Sequence, residues 1–207
     1  MAEIVSLDPL TLTDLDTARA YLKSDTTRYD DIVKAAINRA TAQIEMYCKR
    51  YLLARLYDSA SVTAGDRPTM KLNGSGCSDI MPLEYPVGTI TSIVERYPDG
   101  LTTRTLNITG LTVRPGHIIH LPLDTFARGY NNIEVKGTFG YSVATHARER
   151  RALEAACLRW VQVMYQDQDA AIGRGTTFGV GGDTVQLISG AMPADVIQAI
   201  APFQRYI

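Results

Sequence analysis

Hydrophobic side chains recur every three or four residues in three stretches of the chain, which is the spacing of one face of an α-helix. The first stretch places Leu15, Ala18 and Leu22 on one face, with Thr11 or Thr13 as a possible N-cap. The second and third are longer, and their apolar positions are Val33, Ile37, Ala40, Ile44 and Tyr47, and then Leu153, Cys157, Trp160 and Met164. The pattern predicts helices near residues 14–23, 29–52 and 146–168, with the last two packed against each other.

Between the second and third helices the period changes. Six short segments rich in Thr, Ile, Val and Tyr are separated by Gly, Pro, Asn or Asp, which is typical of β-strands joined by turns. One of them, within "LEYPVGTITSIVERYPDG" at residues 83–100, has apolar and polar residues on both faces. A strand of this kind is expected to lie between neighbouring strands, with "YPDG" as its closing turn.

The last part of the chain has two further features. A glycine-rich segment, "GRGTTFGVGGDT", follows the third helix, and a short helix is predicted to begin at Pro193 and to end at Pro202. We therefore predict an α+β fold, a small α-helical bundle core with a β-rich middle insertion and an extended C-terminal tail. Its parts are residues 1–53 (core helices), 54–141 (insertion), 142–170 (core helix) and 171–207 (glycine-rich loop and tail), all within one structural domain.

The composition argues against several classes of function. The 207 residues include 45% hydrophobic and 21% charged side chains, which is ordinary for a globular protein, and the formal net charge is -1. No global positive field is therefore available for nucleic acid, and any contact with DNA has to be local. The three cysteines are too few for a disulfide framework, and no secretory signal or membrane-spanning run is evident. Synthesis in a reducing cytoplasm is expected.

Several candidate chemical sites have simpler explanations. His117 and His120 are three residues apart, so in a strand they point to opposite faces and do not form a metal pair. The glycine-rich segment lacks the Lys-Ser/Thr of a phosphate loop, and His146 has only Glu149 or Glu154 nearby to orient it. We expect no catalytic residues, no metal and no cofactor.

One charged cluster deserves an explanation, because cations at a helix start are disfavoured by the helix dipole. Arg148, Arg150 and Arg151 lie there, and either Glu149 and Glu154 compensate for them or they face acidic groups of a partner or the phosphates of DNA. Compensation within the helix is the favoured interpretation.

The order of the elements resembles that of the head-tail connector, or adaptor, proteins of tailed bacteriophages and gene transfer agents. The resemblance rests on "LTDLDTARAYLK", "DDIVKAAINRATAQIEMYCKRYLL", "PLEYPVGTITSIVERYPDG", "NNIEVKGTFGYS", "ERRALEAACLRWVQVMYQDQD" and "MPADVIQAIAPFQRYI", in particular "YPV" before "ITSIVE" and the terminal "APFQRY". The match covers most of the chain. The β-rich middle is longer here than in the smallest adaptors.

The resemblance implies a ring, commonly dodecameric, that docks beneath the portal protein of a virion or phage-like particle and extends the channel for double-stranded DNA. A stopper or tail-completion protein would follow it in the neck. The implied portal-docking residues lie in the C-terminal tail, and they are Pro193, Val196, Ile197, Ile200, Pro202, Phe203, Tyr206 and Ile207. Phe203 and Tyr206 would be the aromatic anchors. The strand and turn at residues 83–100 would join neighbouring subunits.

Two other classes of function remain open. A β-rich binding module, such as a fibre or surface component of a particle, is suggested by the Thr- and Tyr-rich strands and predicts a preformed aromatic groove. A small hydrolase predicts a pocket with a titratable pair. For the adaptor, truncation of residues 191–207 is expected to leave a folded subunit that no longer joins heads.

Overall fold

The computed structural model describes residues 6–24, 27–58, 69–97, 102–173 and 192–205. Four α-helices are present among them, α1 Leu15–Leu22, α2 Asp30–Cys48, α3 Ala147–Gly173 and α4 Ala194–Ile200, with 3-10 turns at Thr27–Tyr29 and Ala201–Phe203. The strands are β1 Arg55–Tyr57, β2 Met70–Gly74, β3 Asp79–Ile80, β4 Val87–Arg96, β5 Thr103–Thr105, β6 Thr112–Arg114, β7 Ile118–His120 and β8 Gly129–Phe139. The predicted α+β class is confirmed. The glycine-rich segment, from residue 174 onward, and the Pro98–Gly100 part of the predicted turn lie outside the described residues.

The chain divides into two compact units. The first, which we call the helical unit, contains residues 1–49 and 148–207. The second, the β unit, contains residues 50–147.

The helical unit is built on the predicted apolar faces. Ala18, Ile37 and Ile44 are fully buried, as are Leu153 and Cys157 of α3. Helices α2 and α3 contact each other, as predicted, where the Trp160 indole N–H donates to Gln43 Oε1 at 2.6 Å. Burial of these faces out of water is the main favourable term that holds the helices together.

The ends of the helices follow simple capping rules, with one correction. Helix α1 is capped by Asp14, whose carboxylate accepts the backbone N–H of Thr17 at 2.8 Å. Neither Thr11 nor Thr13 is the N-cap, because the helix begins at Leu15 and the Asp14 carboxylate reaches the free amide of Thr17 and also favours the positive helix end. The Thr17 hydrogen bonds hold the pKa of Asp14 below its usual value.

Helix α2 ends four residues earlier than the sequence predicts. Lys49 adopts a left-handed conformation (φ 55°), and its N–H reaches the carbonyls of Glu45 and Met46. Leu52 and Leu53, which extend the apolar pattern of α2, are buried instead in the β unit.

The β unit contains two antiparallel sheets. The larger one has the strand order β1-β8-β4-β5, with β2 also paired to β8, and the smaller one has the order β3-β7-β6. As predicted, β4 lies between two neighbours, β8 and β5. The core contains Phe126, Phe139, Ile93, Ile119 and Ile133, which are at most 1% exposed.

The first and last segments of the β unit are hydrogen-bonded to each other. The N–H of Tyr141 donates to the carbonyl of Leu52 at 2.7 Å, and the N–H of Ala54 donates to the carbonyl of Tyr141 at 3.2 Å. Gly140, which directly precedes Tyr141, has φ 109°. A Cβ at this position would lie 2.4 Å from the carbonyl oxygen of Leu53. Only glycine fits this close approach.

Candidate assembly surfaces

The C-terminal segment, proposed from the sequence to dock on a partner, is folded as α4 and the following 3-10 turn. Pro193 precedes the helix as its N-cap residue. Val196 and Ile200 are at most 1% exposed and Phe203 is 8% exposed, so all three belong to the core of the chain. Their burial removes them from the surface that the described chain presents.

Polar contacts fasten this segment to α2 and α3. Arg159 Nε donates to Asp195 Oδ2 at 2.8 Å, which lowers the pKa of Asp195. The N–H of Arg205 donates to the carbonyl of Cys48 at 3.0 Å, which satisfies a carbonyl at the end of α2. The segment is therefore an integral part of the helical unit.

The remaining docking candidates differ in exposure. Pro202 is exposed, whereas Pro193 and Ile197 are half-buried. Tyr206 and Ile207 lie outside the described residues. The surface that this segment offers to a partner is therefore smaller than the predicted set of eight residues.

The three arginines at the start of α3 have different environments. Arg148 and Arg151 are exposed. Arg150 is half-buried, and burial lowers its pKa while the charge of Glu154 opposes that change. Its Nη1 atom is buried and has no hydrogen-bond partner among the described residues. Among the described residues, Arg148 and Arg151 are thus the two of the three arginines that are exposed to solvent.

A cluster of planar side chains lies in the β unit and was not predicted from the sequence. The Arg50 guanidinium is 3.8 Å from the centroid of the Tyr85 ring, and its Nη1 donates to the Tyr85 carbonyl at 2.6 Å. The His117 ring stacks on the same tyrosine, with 4.9 Å between centroids. Tyr141 accepts from Arg50 Nη2 at 3.2 Å and packs edge-on against His146. The cluster brings together residues from four separate parts of the sequence, so no local sequence pattern could have predicted it.

His117 occupies a constrained position within this cluster. Its φ of 63° is left-handed, which is uncommon outside glycine and asparagine. Burial lowers the pKa of His117, and the neighbouring charges of Arg50 and His146 lower it further. Both effects favour the neutral form of the imidazole.

A second titratable group, on the small sheet, has the composition of a catalytic dyad. Asp79 Oδ1 lies 2.6 Å from His120 Nδ1, and Arg114 Nη2 lies 2.9 Å from His120 Nε2. Because arginine can only donate, Nε2 accepts and the proton is on Nδ1, directed at Asp79. The imidazole nitrogen that a general base would use is thus occupied. The arrangement joins strands β3, β6 and β7.

The described residues offer few other candidates for a metal site or for a nucleophile. The described residues contain no group of three or more His, Cys, Asp or Glu side chains that could hold a metal ion. Cys48 and Cys157 are buried and Cys77 is exposed. Burial raises the pKa of Cys157 to about 12, so this thiol is not a nucleophile at neutral pH.

One groove of about 410 Å³ lies on the β unit beside Asp79. It runs between β2 and the segment that contains β3, and its apolar lining includes Met81, Leu83 and Tyr130, which are 57%, 40% and 82% exposed. A single tyrosine among aliphatic and polar side chains does not make the aromatic groove expected of a carbohydrate-binding module.

Comparisons with known proteins were made at the level of sequence and of structure. No protein-family model matches the chain, and no curated protein sequence shows significant similarity to it. The chain is similar in fold to a protein from the neck of an empty gene transfer agent particle, determined with C6 symmetry, with a TM-score of 0.57 and 18% sequence identity. The match covers 100% of this chain and 96% of the other.

A protein in the virion of a native gene transfer agent particle gives the same result. Its TM-score is 0.57 at 17% identity, and the match covers 100% of this chain and 97% of that one. The complete chain, helical unit and β unit alike, therefore has the fold of a component of these particles. In the described residues no helix has both the length and the apolar character needed to cross a membrane.

Proposed function

We propose that this chain is a structural head-tail adaptor of a phage-like particle. It forms a ring beneath the portal protein, extends the DNA channel and connects the capsid to a stopper or tail-completion protein. The observation that carries the proposal is the full-length similarity in fold to proteins of gene transfer agent particles, one of them a neck protein. The order of helices and strands along the sequence supports the same assignment, and the role is one of binding rather than catalysis.

The ring is proposed to be a homo-oligomer, with twelve copies as the resemblance to adaptors implies. Closed cyclic symmetry repeats one modest contact many times, so that a weak single contact is sufficient. Each copy would add the exposed guanidinium groups of Arg148 and Arg151 to the ring. If these face the channel, they give a sequence-independent contact with DNA phosphates.

Docking to the portal is proposed to use the exposed side of the C-terminal segment. The candidates are Pro193, Ile197 and Pro202 on the described chain, followed by Tyr206 and Ile207. Val196, Ile200 and Phe203 act indirectly, because they hold α4 in place from within the core.

The test uses a bacterium that produces the particle and lacks the gene for this chain. We expect DNA-filled heads without tails, and electron microscopy of the necks should recover a ring when the wild-type gene is restored. Ile197→Asp is expected to reduce tailed particles at least about tenfold, because a carboxylate would have to be buried at the contact. The matched control is Gln198→Asp, an exposed position on the same helix, which should assemble normally.

Two results would contradict the proposal. Normal numbers of tailed particles in the absence of the chain would remove its role as a connector. Equal assembly by the Ile197→Asp and Gln198→Asp variants, and by a chain without Tyr206 and Ile207, would remove the portal-docking role of the C-terminal segment.

A further inference from the structure

The larger sheet has an open edge at β5. The N–H of Leu106 donates to the carbonyl of Ile93, and the N–H of Tyr97 donates to the carbonyl of Thr102, so Leu106 and Thr102 direct their backbone groups at β4. Backbone groups alternate along an antiparallel strand. Thr103 and Thr105 therefore direct their N–H and C=O groups away from β4, and in the described chain no backbone hydrogen bond reaches them from that side.

The opposite edge of the same sheet is β2. The backbone N–H and C=O groups of Ile93 point to β5, so those of its partner Val135 point to β2 and are hydrogen-bonded to Met70. The neighbouring row consists of Lys71, Glu134, Val94 and Thr105, aligned across the four strands. In this row Glu134 is bonded to Val94. Within the described residues, Lys71 and Thr105 therefore present unpaired backbone groups at the two opposite ends of one row.

The groove described above opens next to β2. Its lining includes Lys71, Leu72 and Asn73 of β2, and Tyr130 and Asn131 of β8, the strand to which β2 is paired. An extended segment placed against the free edge of β2 could hydrogen-bond to Lys71 as an added strand.

The directions of the strands define which segment fits. Strands β2, β8, β4 and β5 alternate in direction, since each pair is antiparallel. A strand added beyond β5 in the same alternation has the direction of β2. The β2 edge of a second copy therefore continues the sheet when the two copies are related by rotation about an axis parallel to the strands.

We propose that β5 of one copy pairs with β2 of the next copy, so that the sheets of neighbouring subunits join. This inference rests on the proposed ring, and it assigns the surface that closes the ring. The contact is head-to-tail, because the two edges are different, and such a contact produces a closed ring when a whole number of repeated rotations completes one turn.

The side chains around the two edges suit this pairing. Arg104, the central residue of β5, is held within its own subunit by Asp124 at 2.6 Å and by Glu95 at 3.7 Å. Its charge is therefore neutralised and does not repel an incoming strand, as an edge charge otherwise does. Tyr97, which is 39% exposed beside β5, supplies an aromatic ring for the apolar lining of the groove at Met81 and Tyr130.

The test blocks each edge separately with proline. Thr105→Pro and Lys71→Pro each remove an outward N–H and leave the hydrogen bonds within the sheet in place. Val113→Pro is the matched control. It lies on β6, an edge of the small sheet, and its backbone N–H also points outward. The N–H of Leu121 donates to the carbonyl of Ser78, so the backbone groups of the preceding residue, His120, point to β6. His120 is paired with Thr112, and the next residue, Val113, therefore points away from the sheet.

Sedimentation velocity and native mass spectrometry on the full-length chain give the readout. We expect the wild type and Val113→Pro to form a closed oligomer whose mass is a multiple of 22.7 kDa. Thr105→Pro and Lys71→Pro should each remain monomeric, with the association constant reduced at least about tenfold. An equimolar mixture of these two variants should form a dimer and nothing larger, because one intact β5 edge and one intact β2 edge remain.

Three results would overturn the inference: wild-type assembly by Thr105→Pro, a mixture that forms species larger than a dimer, or a wild-type chain that is monomeric at about 1 mM. Circular dichroism of each variant checks that the β unit is folded, and a misfolded proline variant is replaced by Thr105→Asp, which is also expected to prevent assembly. The proposed function is judged separately by tail attachment in particles. If the chain is needed for tail attachment but a variant with a blocked edge still assembles normally, this inference fails and the proposed function stands.

Discussion

At the scale of single residues, His117 is the side chain whose protonation has the clearest consequence for stability. Its ring lies against Tyr85, in the field of Arg50 and His146, and burial lowers its pKa. In the unfolded chain a histidine has a pKa of about 6.5. Below that value the unfolded state binds more protons than the folded state, so the free energy of unfolding decreases as the pH falls.

We therefore expect the wild type to lose stability between about pH 7 and pH 5. His117→Asn should show a smaller loss in that interval, because asparagine does not titrate and tolerates the left-handed backbone at this position. Urea unfolding at the two pH values provides the measurement. The carboxylates with lowered pKa values, Asp14, Glu134 and Asp195, lose their contribution only at lower pH, so they do not interfere. An identical pH dependence in the two proteins would exclude His117 as the cause.

Some residue environments could be predicted from the sequence and others could not. The burial of Cys48 and Cys157 follows from their places on apolar helical faces, and the structure confirms it. The contacts of Arg50 with Tyr85 and Tyr141 join positions far apart in sequence. Such contacts depend on the tertiary fold and leave no periodic signal.

At the scale of elements, the strongest patterns were the most reliable. Helices α1, α2 and α3 occur where the apolar spacing predicted them, and the Thr-, Ile- and Val-rich segments contain seven of the eight described strands. Strand β3, with only two residues, was missed because it is too short to alternate visibly. The end of α2 was misplaced, since Leu52 and Leu53 continue its apolar spacing although the helix ends at Cys48.

Helix α4 provides an element-scale prediction. Ile200 is fully buried and Ile197, on the same helix, is half-buried. Ile200→Ala should lower the free energy of unfolding by about 2–5 kcal/mol, because it removes buried methyl groups and leaves a cavity. Ile197→Ala should cost about 1 kcal/mol or less, since water already reaches that site. Urea denaturation of both variants tests the assignment, and equal costs would contradict it.

The same burial affects how the C-terminal segment can be studied. Removal of residues 191–207 also removes Val196, Ile200 and Phe203 from the core. A truncated chain would therefore lose stability as well as any docking surface. Substitutions at Ile197 and Pro202 separate the two effects, and for this reason they replace truncation in the test of portal docking.

At the scale of the whole molecule, the β unit has the features of an independently folding module. Its core residues, from Tyr57 to Phe139, all lie within residues 50–147. Its first and last segments are joined by the hydrogen bonds between Tyr141 and the Leu52–Ala54 segment.

We expect residues 50–147, expressed alone, to fold into a β-rich protein. Circular dichroism should show little helix, and urea unfolding should be a single cooperative transition, as is usual for a domain of this size. Gly140→Val in the same fragment should be strongly destabilising, because the close approach to Leu53 leaves no room for a side chain. A fragment without dispersed amide resonances would contradict the prediction.

The paired segments at Leu52–Ala54 and Tyr141 have a practical consequence. A unit whose first and last segments are adjacent can be exchanged for another polypeptide with similarly close termini. The helices could thus carry a fluorescent protein or an affinity handle in place of the native β unit. Such chimaeras would separate the contribution of the helical unit from that of the β unit in living cells.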